Sequence, residues 1–216
     1  MMNDMPVERE ALVRIVDDNA ETCASIRFFL ESLGYDVLVW TDPTAFLREW
    51  REDGKPGCVL LDVRMPGLSG LELLDRLQVE GCRLPILFLT GHGDVEMAVR
   101  ALKHGAVDFL LKPPEEEKII YAVAAACAQG IRTAKLDAER ARASVLWATL
   151  TEREQDVMRL VAKGLMNKQI AAALDIAEKT VRQHRGAACR KLDVRNAVET
   201  AEFLRELENP SPTAEV

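Results

Sequence analysis

Three carboxylates, a hydroxyl and an ammonium stand at the ends of four short apolar runs in the first half of the chain. Ala11 to Val16 stops at Asp17-Asp18, Cys58 to Leu61 at Asp62, Ile86 to Leu89 at Thr90, and Val107 to Leu111 at Lys112. In an open parallel sheet the carboxyl ends of adjacent strands gather at one edge, where such folds bind ligands. Neighbouring strands lie about 4.8 Å apart, so this spacing predicts one pocket shared by Asp17, Asp18 and Asp62. Two carboxylates about 4 Å apart repel by about 4 kcal/mol at an effective dielectric of about 20. A hard divalent cation relieves that repulsion, and Mg²⁺ commonly takes one or two carboxylates plus waters and phosphate oxygens. Lys112 offers a compact charge for a phosphoryl oxygen, and the Thr90 hydroxyl can donate to another. Asp62 fits the role of nucleophile, because carboxylates form aspartyl-phosphates. Each piece alone has an ordinary structural explanation: a helix cap, a solvated Asp pair, a Lys-Pro loop. Their coincidence at four strand ends points to phosphoryl chemistry.

The elements that must position these groups alternate in type. Strands are expected near 11–17, 36–40, 57–62, 84–90 and 107–111, and helices near 19–33, 43–52, 69–80, 94–104 and 114–129. Such alternation predicts an α/β domain of βαβ units on a parallel sheet. The punctuation agrees. Asp42-Pro43 sets a cap before a helix-starting proline, Ser69-x-x-Glu72 is a capping box, and Gly34 and Gly105 follow helices. Residues 130–149 are rich in Ala, Arg, Lys and Glu. They predict a solvated helical linker with a thin seam of Ile131, Ala134, Ala138, Ala141, Val145 and Ala148. A second capping box, Thr151-x-x-Glu154, opens a small all-α module of four short helices over 150–208. The tail 209–216, with Pro210 and Pro212, is expected to be disordered.

The net charge of −7 excludes a protein coated with nucleic acid, but the charge is uneven. Residues 147–208 carry 11 Lys+Arg and 10 Asp+Glu, which leaves the rest of the chain at −8. Within 179–195, six cations (Lys179, Arg182, Arg185, Arg190, Lys191, Arg195) face one acid, Asp193. A local basic stripe in an acidic protein reads as one contact face. The five cysteines are scattered without CxxC spacing, which fits small core residues in a reducing cytoplasm. Neither a signal pattern nor an apolar span of about 20 residues is present, so a cytoplasmic location without membrane contact is expected.

The pocket residues lie in stretches that closely resemble the receiver domains of bacterial two-component response regulators. These are Val16-Asp17-Asp18, Leu61-Asp62-Val63-Arg64-Met65-Pro66-Gly67-x-x-Gly70, Phe88-Leu89-Thr90-Gly91-His92 and Phe109-Leu110-Leu111-Lys112-Pro113. The resemblance covers nearly all of 10–128, within a receiver domain bounded at 10–129, and implies a flavodoxin-like (βα)5 fold whose five-stranded parallel sheet runs in the order 2-1-3-4-5. It implies that Asp62 accepts phosphate from a phosphohistidine on a sensor histidine kinase. Asp17, Asp18, Asp62 and the backbone carbonyl of Arg64 would hold Mg²⁺, and Thr90 and Phe109 would be the switch pair. It also implies a cis Lys112-Pro113 bond, the bond type in which cis is least costly.

The second half resembles the LuxR-type helix-turn-helix domain. The matching residues are Leu150-Thr151-x-Arg153-Glu154, Gly164-Leu165-x-Asn167-Lys168-x-Ile170-Ala171, Thr180-Val181-Arg182-x-His184-Arg185 and Lys191-Leu192. Together the halves resemble a regulator of the NarL/FixJ type, FixJ-like branch. The resemblance implies a recognition helix at 178–192 in the major groove of promoter DNA. Arg182 and Gln183 would read base edges. Asn167 falls within the matched motif, and Lys168, Lys179, Thr180, Arg185 and Lys191 would grip phosphates. Three departures stand out: Ala177 replaces a usual Ser cap, Gly186 lies inside the helix, and Ala187-Ala188 leave the next turn bare. They imply few direct contacts and a heavier dependence on a homodimer formed on phosphorylation, with RNA polymerase as a candidate partner.

The activity expected is transcriptional regulation, with catalysis confined to the chain's own Mg²⁺-dependent phosphorylation and dephosphorylation. A phosphatase of the haloacid-dehalogenase type would need an acid two residues after the nucleophile, where this chain has Arg64. A regulator gated by protein partners without phosphate remains the alternative, and the intact pocket argues against it.

Overall fold

A computed structural model describes residues 10–51, 54–91 and 102–208 of the 216-residue chain. Within it the chain divides into two compact units, 1–134 and 135–216. The expected helix at 94–104, apart from its last residues, lies outside the described residues, as do the tail 209–216 and His92.

The first unit holds five parallel strands: β1 (Leu12–Val16), β2 (Asp36–Trp40), β3 (Gly57–Asp62), β4 (Ile86–Thr90) and β5 (Asp108–Leu111). Their order is β2-β1-β3-β4-β5, as the resemblance to receiver domains implies. The chain winds one way from β1 to β2 and the other way from β3 onward. Its topological switch point therefore falls between β1 and β3, the place where open α/β sheets open a crevice for ligands. Helices α1 (Ala20–Ser32), α2 (Pro43–Glu49) and α3 (Gly70–Val79) cover the sheet, together with the first turns of α4 (Glu116–Ala148).

Strands β1, β3 and β4 are buried along their whole length, whereas β2 and β5 are edges with exposed positions. Alternate side chains of the central strands divide between two cores, as a period of two requires. Val13, Ile15, Cys58, Leu60, Leu87 and Leu89 pack under α1 and α4; Val16, Val59, Leu61, Ile86 and Phe88 pack under α2 and α3. The apolar run of β1 contains Arg14, which is fully buried. Its guanidinium donates to the Lys55 carbonyl at 2.7 Å and the Leu12 carbonyl at 3.3 Å, so the charged group is hydrogen-bonded inside the fold.

The helix starts are set by the caps read from sequence. Asp42 accepts from Thr44 N with Pro43 at the first helical position, and the Ser69–Glu72 and Thr151–Glu154 boxes are both formed. Asn19 caps α1 by accepting from Glu21 N and Thr22 N, which places the helix start directly after the Asp17-Asp18 pair.

The second unit contains α5 (Glu152–Ala162), α6 (Asn167–Leu174), α7 (Glu178–Leu192) and α8 (Ala197–Glu208). Val157, Met158, Val161, Ile170, Val181, Ala188 and Leu192 form its core. The helical character of 130–149 is as expected, and its alanine seam is solvated, but the packing at its end was not foreseen. Ala134, Ala138, Ala141, Val145 and Ala148 are exposed, whereas Ala143 is buried and Leu146 and Trp147 pack against the core of the second unit. Trp147 meets Phe203 at 6.4 Å between ring centroids, and Arg159 lies over its ring. The last turns of α4 thus belong to the α-helical core, because a Trp and a Leu outweigh an alanine seam in apolar area.

Two glycines make contrasting demands. A Cβ on Gly130 would come within 2.0 Å of the Gly57 carbonyl oxygen, so α4 crosses the start of β3 with no room for a side chain. A Cβ on Gly186 would meet nothing closer than Arg190 Nη1 at 3.7 Å. Gly130→Ala should therefore destabilise the protein by about 1–3 kcal/mol, the usual cost of overpacking. Gly186→Ala should stabilise it by about 0.5–1 kcal/mol through helix propensity alone. Urea unfolding of the full chain measures both, and the two changes are expected to have opposite signs.

Candidate functional site

Register brings the chemistry together. Val16 pairs with Leu61, Asp62 with Leu89, and Thr90 with Leu111. Asp17, Asp62, Thr90 and Lys112 therefore lie within about one residue of the same level at the carboxyl edge of the sheet. Carboxylate oxygens of Asp17, Asp18 and Asp62 come within 4.8 Å of one another. Asp17 and Asp62 are buried and Asp18 is exposed. The Lys112 ammonium bridges the buried pair, 2.6 Å from Asp17 Oδ2 and 2.9 Å from Asp62 Oδ1.

Asp17 is fixed on every side. Its Oδ1 accepts from Asn19 N at 2.9 Å, its backbone N–H donates to the Trp40 carbonyl, and its carbonyl accepts from the Cys23 thiol. Its buried Oδ2 lacks a hydrogen bond of good angle and relies on the charge of Lys112. Burial pushes the Cys23 thiol up to about 11, with the Asp17 carboxylate adding to the effect, so it remains a neutral thiol.

Burial also pushes the Asp62 carboxyl above the ordinary carboxylate range; Asp17 adds to that push, while Lys112 and the Arg64 backbone oppose it. Desolvation pulls the Lys112 ammonium down, but the two carboxylates outweigh it and its pKa stands above the usual lysine value. One ammonium balances one of three carboxylates. The surplus negative charge and the all-oxygen donor set fit a hard divalent cation such as Mg²⁺.

Thr90 is buried, and its hydroxyl donates to the Gly91 carbonyl at 3.4 Å. Phe109 is half-buried and packs against the core beneath α2 and α3. The Lys112–Pro113 peptide is cis. One residue that holds the site together carries no chemical signal in the sequence. A Cβ on Gly70 would lie 2.1 Å from the Asp62 carbonyl oxygen and 2.9 Å from the Phe88 ring, so this glycine lets α3 start directly against the Asp62 backbone.

Comparison with known proteins decides what this edge belongs to. Residues 13–124 match the response regulator receiver domain, and 148–204 match the bacterial regulatory proteins of the luxR family. The chain belongs to the two-component response regulators. This response regulator is 41% identical over 187 residues to Nodulation protein W of Bradyrhizobium diazoefficiens, covering 87% of this chain and 82% of that protein. It is 39% identical over 191 residues to the transcriptional regulatory protein FixJ of the same organism, covering 87% and 91%. Among solved structures, the response regulator StyR superposes with a TM-score of 0.79 at 38% identity, covering 91% of this chain and 99% of that one. Full-length FixJ from B. japonicum gives 0.56 at 36% identity, covering 94% and 99%.

In the LuxR-type module of the regulator, α7 spans Glu178–Leu192, the helix expected to enter DNA. Arg182, Gln183 and Lys179 are exposed on it, and Thr180 and Arg185 are half-buried. Arg182 lies 3.8 Å from Glu178, and Arg185 donates to Asn167 Oδ1 on α6 at 3.0 Å. Lys168 is exposed on α6. Ala177 caps α7 without any side-chain hydrogen bond, the weak start noted in sequence. Lys191 departs from the group: its ammonium lies 2.6 Å from Glu154 Oε2 and 3.1 Å from the Thr149 carbonyl. Glu154 is buried, and its acidity was read in sequence only as half of a capping box. Cys189 packs beside this core.

The Lys191 ammonium, opposed by desolvation and helped by the Thr151 N–H, holds the Glu154 carboxyl below its usual range. A depressed folded-state pKa gives stability that is present above the unfolded value and lost as pH falls through the folded one. Thermal unfolding of the full chain should therefore lose this contribution below about pH 4.5, and Glu154→Gln should flatten that part of the acid limb.

Proposed function

We propose that this response regulator is switched by phosphorylation of Asp62 and acts as a DNA-binding transcription factor. The observation that carries the reading is the Asp17–Asp18–Asp62 cluster with the Lys112 ammonium seated between its two buried members. The donor is a phosphohistidine on a sensor histidine kinase. An oxygen of Asp62 forms the bond to phosphorus as the bond to the imidazole nitrogen breaks, and the histidine leaves. Asp17, Asp18, Asp62 and the Arg64 carbonyl would hold Mg²⁺, which supplies neutralising charge for the phosphoryl oxygens. Lys112 stays protonated throughout and passes from the Asp62 carboxylate to a phosphoryl oxygen. The Thr90 hydroxyl, whose contact with the Gly91 carbonyl is long at 3.4 Å, turns inward and donates to that group. Phe109 then follows into the space that Thr90 leaves. The chain's own chemistry ends with gain and loss of this phosphoryl group.

We assign 10–129 to the receiver, 130–149 to a helical connector and 150–208 to the DNA-binding domain. In the latter, Arg182 and Gln183 read base edges, while Asn167, Lys168, Lys179, Thr180 and Arg185 meet the backbone of double-stranded promoter DNA. Phosphorylation favours a homodimer that sets half-site spacing, and promoter-bound dimers meet RNA polymerase. Among the described residues no helix is long and apolar enough to cross a membrane.

Acetyl phosphate with Mg²⁺ should label the wild-type protein and leave Asp62→Asn unlabelled, and chelation by EDTA should abolish the wild-type signal. Beryllofluoride should raise the DNA affinity of the wild type and leave that of Asp62→Asn unchanged. Equal labelling of both proteins would remove the phosphoryl mechanism; labelling without any change in DNA affinity would favour gating by a protein partner.

A further inference from the structure

We propose that Lys191 is a positioning residue that clamps the recognition helix at its C-terminal end, and that it does not contact DNA phosphate. The inference rests on the DNA-binding reading of α7. Lys191 sits in the last turn of α7, and its ammonium is held by Glu154 Oε2 at 2.6 Å and the Thr149 carbonyl at 3.1 Å. The same Glu154 oxygen accepts the Thr151 N–H at 2.8 Å. One buried carboxylate thus joins three segments: the turn after α4, the first turn of α5 and the last turn of α7. The Glu154 side chain is 7% exposed and that of Lys191 36%.

Charge and geometry both oppose a phosphate role. Removing the ammonium from Glu154 would leave a buried carboxylate uncompensated, which is costly. The carboxylate that holds Lys191 also repels an approaching phosphate. What the clamp can do is set direction. Arg182 lies nine residues before Lys191, about 13.5 Å along a helix axis. A tilt of about 5° at the clamp would therefore move Arg182 by about 1.2 Å, more than the roughly 0.5 Å tolerance of a binding constellation. Near its start α7 has no side-chain cap on Ala177 and is held by the buried Val181 and by Arg185 on Asn167. The clamp at the far end is then the second point that fixes the direction of the axis, and with it where the reading residues point.

The test uses the full-length chain with two fluorescent duplexes of 30 base pairs or so: one of arbitrary sequence, and one selected by the wild type from a randomised pool. A phosphate contact contributes about 0.9 to the slope of log affinity against log salt. Lys191→Met should leave that slope on the arbitrary duplex unchanged. On the selected duplex it should lose about tenfold, within the range of one lost base contact. Glu154→Gln, which keeps the shape and an acceptor oxygen, should lose selectivity in the same direction; circular dichroism checks that both variants keep their helices. If Lys191 instead gripped phosphate, Lys191→Met would lower the slope by about 0.9. Glu154→Gln would then free the ammonium and tighten binding to the arbitrary duplex. Either result overturns the proposal, as does unchanged selectivity in Glu154→Gln. A wild-type chain that binds neither duplex would instead overturn the DNA-binding reading beneath it.

Discussion

A single ammonium between two buried carboxylates is the constraint on which the receiver depends. Asp17 and Asp62 come from the ends of adjacent strands, and the fold gives them no means of separating. Lys112, from the end of an edge strand, neutralises one negative charge and leaves the site with a surplus of negative charge. The sheet order makes this possible, because reversal between β1 and β3 opens a crevice where those two ends meet. The close approach of Gly70 to the Asp62 backbone then fixes the floor of that crevice. Reactivity here is a consequence of charge that the fold concentrates and only partly cancels.

The LuxR-type module applies the same economy of charge to a different end. Its recognition helix starts without a side-chain cap and carries an internal glycine, both of which weaken it. Compensation comes from a buried Glu154 that serves a capping box and a lysine at once. A cation counted as part of a basic stripe is thereby tied to a buried carboxylate, although it is exposed like Arg182, Gln183 and Lys179. Charge along a helix does not by itself assign function; what each charge already touches decides what it can still touch.

The receiver was legible in sequence because its signals are local. Each strand is a short apolar run, each reactive residue ends one, and Asp42 and Ser69 mark helix starts through neighbours two or three positions away. What escaped the reading depends on contacts between distant segments. The Lys191–Glu154 pair joins positions 37 apart, and the crossing of Gly130 over Gly57 and the 3.6 Å approach of the Cys58 and Cys127 thiols are likewise tertiary. No periodicity announces such meetings. The packing at the end of α4 was missed for a related reason: spacing identifies a face, but the burial of Ala143 and the partial burial of Trp147 are decided by the helices that pack on them.

Titration of Mg²⁺ into the full-length protein by calorimetry tests the central claim most directly, because it asks whether the carboxylate cluster behaves as one site. The wild type should bind one ion, and Asp17→Asn should bind none over the same concentration range. Equal binding by the two proteins would contradict the account, since the buried carboxylate at the end of β1 would then have no part in holding the cation.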